Sequence, residues 1–120
     1  ETVVIGSGPG GYVAAIRLGQ LGKKVVLVEK AEIGGICLNH GCIPSKALIH
    51  AADFFNAVKE GNPFGINAGN VSIDIKQLQQ WKEGVVKKLT DGIEFLCKKN
   101  NVQIVKGEAL FESSNSLPST

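Results

Sequence analysis

The sequence predicts an α/β protein built on a parallel sheet, and three observations carry that expectation. Short β-branched runs, "TVVIG" at 2–6, "KVVLVE" at 24–29 and "VQIVKG" at 102–107, have the length and composition of buried strands. Between the first two lies a helical stretch opened by the glycine-rich turn "GSGPGG". A strand, turn, helix and strand in that order form a right-handed parallel unit by default. Finally, residues 75–96 repeat apolar side chains at intervals of three and four, which supplies a long helix to cover the sheet.

Along the chain, "YVAAIRLGQLG" combines small residues with Leu18 and Leu21 and reads as a tightly packed helix closed by Gly22. After the second strand comes a loop holding Cys37 and Cys42, and Pro44 then suits the first position of a helix. That helix presents Leu48, Ala51, Phe55 and Val58 on one face and runs to about Glu60. "GNPFGINAGN" at 61–70 is rich in turn formers and reads as a loop. Asp74 can cap the long helix, whose apolar face carries Ile75, Leu78, Trp81, Val85, Leu89, Ile93 and Leu96. Asn100-Asn101 ends it before the third strand, and "EALFES" at 108–113 reads as a fourth. The Ser-rich end carries little information.

The chain has 120 residues, the length of one domain, with 43% hydrophobic and 20% charged residues, as in ordinary globular protein. Its net charge of +2 and lack of basic runs argue against a nucleic-acid partner. No apolar stretch approaches the ~20 residues of a spanning helix, so no membrane role is expected. With no leader segment, three cysteines point to a reducing, cytoplasmic compartment, where a close pair is more often catalytic or metal-binding than structural. Cys97, beside Ile93 and Leu96, reads as a buried small hydrophobe. The absence of methionine and the Ser-rich end suggest a piece of something longer.

Gly6, Gly8 and Gly11 form G-x-G-x-x-G between a strand and a helix. The first permits a tight turn, the second admits a pyrophosphate to the backbone, and the third lets helix and strand pack closely. Phosphates then meet free N–H groups at the positive end of the helix dipole. Glu29 ends the second strand roughly 20 residues on, where a carboxylate accepts from ribose hydroxyls and repels a 2′-phosphate. The pattern points to an ADP-containing cofactor without separating NAD from FAD.

Cys37 and Cys42 leave three readings open from their spacing. A disulfide closing so small a ring adds little stability by chain entropy. Cys37, His40, Cys42 and His50 could ligate a metal, although the spacing matches none of the usual zinc patterns. A redox pair has a mechanism: Cys42 lies at a helix N-terminus and Lys46 one turn in, and both favour a thiolate. Beside a dinucleotide site, that reading tips the cofactor toward FAD, because a flavin mediates exchange between nicotinamide and a disulfide.

"VVIGSGPGGYVAAIRLGQLG", "VEK" and above all "GGICLNHGCIPSKALIH" resemble the N-terminal part of the flavin-dependent pyridine nucleotide-disulfide oxidoreductases. The likeness extends through essentially the whole chain, including "QQWKEGVVKKLTDGIEFL". "CLN" and "PSKAL" lean toward the dihydrolipoamide-oxidising branch; glutathione- and trypanothione-type reductases commonly carry Lys in place of Ser45, while mercuric reductases share a similar motif. The resemblance implies an incomplete, N-terminal, Rossmann-like FAD-binding domain over residues 1–120 that carries the redox-disulfide helix. Cys37 would exchange with the substrate disulfide, Cys42 would face the flavin as the charge-transfer thiolate, and Lys46 would lie near the flavin's reactive nitrogen. Gly6, Ser7, Gly8, Pro9, Gly10 and Gly11 would hold the pyrophosphate, and Glu29 the adenosine ribose. Lys30, Gly35, Ile36 and the backbone near Ala109 would line the cofactor.

The intact family member would oxidise dihydrolipoyl groups of 2-oxo acid dehydrogenase or glycine cleavage complexes and reduce NAD+. It would have an NAD domain and a dimerisation domain, neither within these residues, and would form a homodimer whose partner subunit supplies a His–Glu acid–base pair. This segment alone is expected to be inactive. A mercuric or glutathione-type reductase and a non-catalytic flavin-binding module are the alternatives. Two residues depart from the pattern: Ile36 stands where Thr is common, and His40 replaces a small apolar residue between the cysteines, where it reads as a neutral surface side chain.

Overall fold

The computed structural model describes residues 1–111. Its sheet has three parallel strands in the order β1 (Thr2–Ile5), β2 (Val25–Glu29) and β3 (Val102–Lys106). Helix α1 (Pro9–Gln20) connects β1 to β2, and α2 (Gly35–His40), α3 (Cys42–Lys59) and α4 (Ile75–Lys99) make up the crossover to β3. β2 is central and most deeply buried, with Leu27 fully enclosed. β1 alternates half-buried and exposed residues, with Val3 and Ile5 on an uncovered face, contrary to the buried strand its composition predicts. A β-branched run reports strand formation but not whether both faces are covered.

Helix α1 ends as its glycine predicts. Gly22 is left-handed at φ 76°, its N–H donates to Gly19 O at 2.9 Å, and the Lys23 N–H donates to Leu18 O at 3.1 Å. These two bonds satisfy the helix's last carbonyls in a Schellman arrangement. Asn101, at φ 57°, turns the chain after α4 in the same left-handed conformation. At the other end of α4, the Asp74 carboxylate accepts from the Gln77 N–H at 3.0 Å, the predicted cap.

Four further sequence expectations need correction. The cysteine loop contains a helix, α2, which at six residues is too short to leave a readable period. Pro44 is the third rather than the first residue of α3. It is still tolerated, because the N–H groups of a first turn have no helical acceptor. "EALFES" makes only a bridge at Ala109 within the described residues, while 112–113 and the Ser-rich end lie outside them. β2, the neighbour of β3, ends at Glu29, whose carbonyl takes the last ladder bond from the Gly107 N–H at 3.0 Å.

The fourth correction concerns the apolar face of α4. Ile93 and Cys97 are buried and Leu78, Val85 and Val86 half-buried, but Ile75, Trp81, Leu89 and Leu96 are exposed. The helix has 25 residues, and is therefore about 37 Å long at 1.5 Å per residue. A five-residue strand spans about 17 Å. Only the C-terminal part of α4 can lie over the sheet; its N-terminal part packs beside α3. The core gathers Ala15, Val25, Leu27, Ile33, Leu38, Ile93, Cys97 and Val102. Cys97 is fully buried as expected, and burial, reinforced by Glu94, pushes its thiol pKa up.

Within α4, Gly84 and Gly92 face open space. Replacing both with alanine is expected to stabilise the fold by about 1–2 kcal/mol in total, because alanine restricts the unfolded chain. Urea denaturation at neutral pH checks this; an unchanged or lower midpoint contradicts it.

Candidate functional site

The glycine turn sits at the C-terminal end of β1. Gly6 is left-handed at φ 88°, a conformation that favours glycine. A Cβ on Gly11 would overlap the Gly6 carbonyl oxygen, so helix and strand meet at a distance only glycine allows. Gly8 and Gly10 are bare in the other sense: a Cβ at either meets nothing within 4 Å. Helix α1 starts with Pro9 and no side chain caps it. The loop thus leaves both space and uncapped N–H groups for an anionic ligand, which fits a pyrophosphate.

Glu29, only 8% exposed, organises the ground behind this loop. Its Oε2 accepts from the Ser7 N–H and the Ser7 hydroxyl, both at 2.7 Å, and its Oε1 accepts from the Ala31 N–H at 2.9 Å. Burial alone would raise the carboxyl pKa. The Ser7 hydroxyl and the N–H groups of Ala31, Ser7 and Lys30 outweigh it, leaving the pKa below its ordinary value. An ionised carboxylate offers about four acceptor positions, so Oε1 keeps capacity for a further donor. Ser7 is fully buried and its hydroxyl points inward, where it also accepts from the Gly34 N–H at 3.2 Å.

Gly6, Glu29, Lys30 and Ala109 line one cleft of about 190 Å³ between the ends of β1, β2 and the segment after β3. Lys30 Nζ lies 3.2 Å from Glu108 Oε1 at its rim, with both side chains exposed. Four predicted cofactor contacts, far apart in sequence, therefore converge.

The cysteine segment abuts the glycine loop directly. Gly34 and Gly35 are consecutive left-handed residues at φ 99° and 69°. The Gly34 N–H donates to Ser7 O at 3.1 Å, and a Cβ on Gly35 would come within 2.7 Å of Gly8 Cα. Helix α2 starts there, and Cys37 on it is joined by a disulfide to Cys42 at the start of α3, with Cα atoms 4.8 Å apart. Cys37 is half-buried and Cys42 exposed. Lys46 is exposed one turn into α3, and Ile36 is 79% exposed on α2. Neither lies in the cleft that holds Glu29.

His40 is exposed, with Nε2 3.6 Å from Glu32 Oε2. His50 lines a separate apolar groove with Phe54, Ile73 and Trp81 between α3 and α4. Among the described residues no three His, Cys, Asp or Glu side chains gather to hold a metal ion. Nor is any helix among them long and apolar enough to cross a membrane.

Two features escape sequence reasoning. One is the pairing of Ser7 with Glu29, which no local spacing announces. The other is Asn39, whose side-chain amide donates to Ile33 O and Gly35 O, each at 3.0 Å.

Residues 1–118 match the family described as pyridine nucleotide-disulphide oxidoreductase. The chain is 58% identical to dihydrolipoyl dehydrogenase of Geobacillus stearothermophilus over 117 residues, covering 98% of this chain and 25% of that protein. It is 49% identical to dihydrolipoyl dehydrogenase of Acholeplasma laidlawii, covering 98% and 35% respectively. Among solved structures, it is similar to the Cu(II) complex of the HOCl-induced flavoprotein disulfide reductase RclA from Escherichia coli. That likeness has a TM-score of 0.79 and 29% identity over 99% of this chain and 24% of the other. The chain thus spans about a quarter of the Geobacillus relative's length.

Proposed function

Since the chain belongs to the pyridine nucleotide-disulphide oxidoreductase family, we propose that it forms the FAD-domain portion of a dihydrolipoyl dehydrogenase, over residues 1–120, whose intact form is a homodimer that reduces NAD+. The observation that carries this reading is the junction of the disulfide helix with the glycine loop, where Gly35 packs against Gly8. A dithiol–disulfide couple beside a dinucleotide cradle has a use in electron transfer and little use as a clip.

In this reading the open backbone of Gly6–Gly11 and the start of α1 bind the pyrophosphate, and Glu29 accepts from the adenosine ribose. Lys30, Gly35, Ile36 and Ala109 bound the cofactor, and Ser7 holds Glu29 in position. FAD, when bound, supplies the two-electron exchange between a dithiol and a nicotinamide. The chemistry of this chain's own residues is thiol–disulfide exchange. A thiolate of a dihydrolipoyl group attacks Cys37 Sγ, the Cys37–Cys42 bond breaks, and Cys42 leaves as a thiolate. The second substrate sulfur then attacks the first, closing the lipoyl disulfide and releasing Cys37 as a thiolate. Two electrons pass from the substrate dithiol to the cysteine pair, and the two thiol protons go to solvent or to the cysteines. Two features favour the Cys42 thiolate: its place at the start of α3 and the charge of Lys46 one turn further along the helix. Lipoyl domains or lipoamide are the partners this chemistry requires.

The test is an anaerobic two-electron titration of the full-length protein followed by its absorption spectrum. A long-wavelength band in the parent that vanishes in Cys42→Ser is expected, together with a loss of turnover of at least about a thousandfold, as for removal of an essential nucleophile. A protein that binds no flavin, or a Cys42→Ser variant with parental turnover, overturns the proposal.

A further inference from the structure

We propose that Asn39 is a positioning residue of the redox pair: its side-chain amide keeps the helix carrying Cys37 in place while the Cys37–Cys42 bond is open. The inference rests on the reading of this pair as redox-active. Helix α2 has six residues, well below the length at which a helix is stable alone, and no side chain caps its start. It begins on the second of two left-handed glycines, Gly34 and Gly35, and is separated from α3 by Gly41 alone, so its flanks give it little stiffness. In the oxidised state the disulfide ties α2 to α3. Once that bond opens, α2 depends on its remaining anchors.

Those anchors are few, and the structure identifies them. Leu38 is buried in the core, Gly35 packs against Gly8, and the Gly34 N–H is tied to Ser7. Asn39 adds a side-chain anchor at the other end of the helix. Both hydrogens of its Nδ2 are used, one on Gly35 O at the start of α2 and one on Ile33 O in the preceding loop. Ile33 is itself a core residue, 3% exposed, so the amide links the last turn of α2 to a fixed point outside it. The Asn39 Oδ1 also lies 3.5 Å from the Thr90 hydroxyl of α4. Cys37 sits two residues from this clamp on a helix of one and a half turns.

The consequence is a stated sign for the thiol–disulfide equilibrium. Without the clamp, the oxidised form keeps its geometry through the covalent bond, while the reduced form gains freedom. The effective concentration of one thiol at the other then falls, and the disulfide becomes easier to reduce. Asn39→Ala in the full-length flavoprotein is expected to lower the equilibrium constant for disulfide formation about tenfold, a rise of about 30 mV in potential.

The measurement equilibrates parent and variant in buffers of reduced and oxidised dithiothreitol, then alkylates and weighs the peptide carrying Cys37 and Cys42. Thermal unfolding of both redox forms accompanies it, since a merely structural residue lowers both equally and leaves the equilibrium unmoved. An Asn39→Ala constant within twofold of the parent overturns the inference while the redox reading stands. A parental pair that exchanges with no buffer overturns both. Should the variant fail to fold, hydrogen exchange on the parent decides: the amides of Asn39 and His40 keep their protection on reduction if α2 stays docked, and lose it if the inference is wrong.

Discussion

Gly11→Ala is expected to cost about 3 kcal/mol or more, the upper end for an added methyl in a packed site. The new methyl would overlap the Gly6 carbonyl oxygen, which is backbone and cannot rotate away. Relief requires α1 to move off β1, and the same movement disturbs the uncapped N–H groups at the start of the helix. A shift of this size lowers the unfolding temperature of a domain this large by about 12 °C. Gly10→Ala is the matched control. It adds the same methyl one residue earlier, where nothing lies within 4 Å, and its effect on stability should be small. Melting temperatures of the two variants within a few degrees of one another would contradict the close-packing account.

Glu29→Gln should cost about 1.5–3 kcal/mol at neutral pH, the range for hydrogen bonds to a charged group. The amide would place a donor against the N–H and hydroxyl of Ser7 or the N–H of Ala31, leaving a buried donor unpaired. The pH dependence follows from the direction of the parental shift. The folded carboxyl pKa lies below its ordinary value of 4.5, so the folded state favours the ionised form. That contribution is present above 4.5 and is lost as pH falls through the lower folded value. Urea unfolding of parent and variant at pH 7 and pH 3 should therefore show a gap that narrows in acid. A gap that widens in acid would mean that the carboxylate is not stabilised as the hydrogen bonds indicate.

The strands and α1 were legible because their signals are local. A β-branched run, a glycine that must be left-handed, and an Asp before a periodic stretch each act within a few residues. The glycine turn and the place of Glu29 were legible for a related reason, since both sit at fixed offsets within one strand–helix–strand unit. Helix α2 was not, because six residues carry no period and its formation depends on Leu38 reaching the core. The covered side of α4 was not legible either. Periodicity reports that an apolar face exists, while the neighbours decide how much of its length and width is buried.

By itself, the sequence determined the order of β1, α1, β2, α3, α4 and β3, the glycine turn, and the residue types available to bind a dinucleotide and to form a disulfide. Each of those follows from short-range sterics or from side-chain chemistry that does not depend on distant partners. Only the tertiary structure decided that Ser7 would hold Glu29, that Gly35 would pack against Gly8, and that the Asn39 amide would reach the Ile33 carbonyl. These contacts join segments or backbone groups whose pairing is selected by the packing of the whole sheet-and-helix unit. A buried hydrogen bond is specified by which groups burial brings within 3 Å of one another, and no single stretch of chain encodes that.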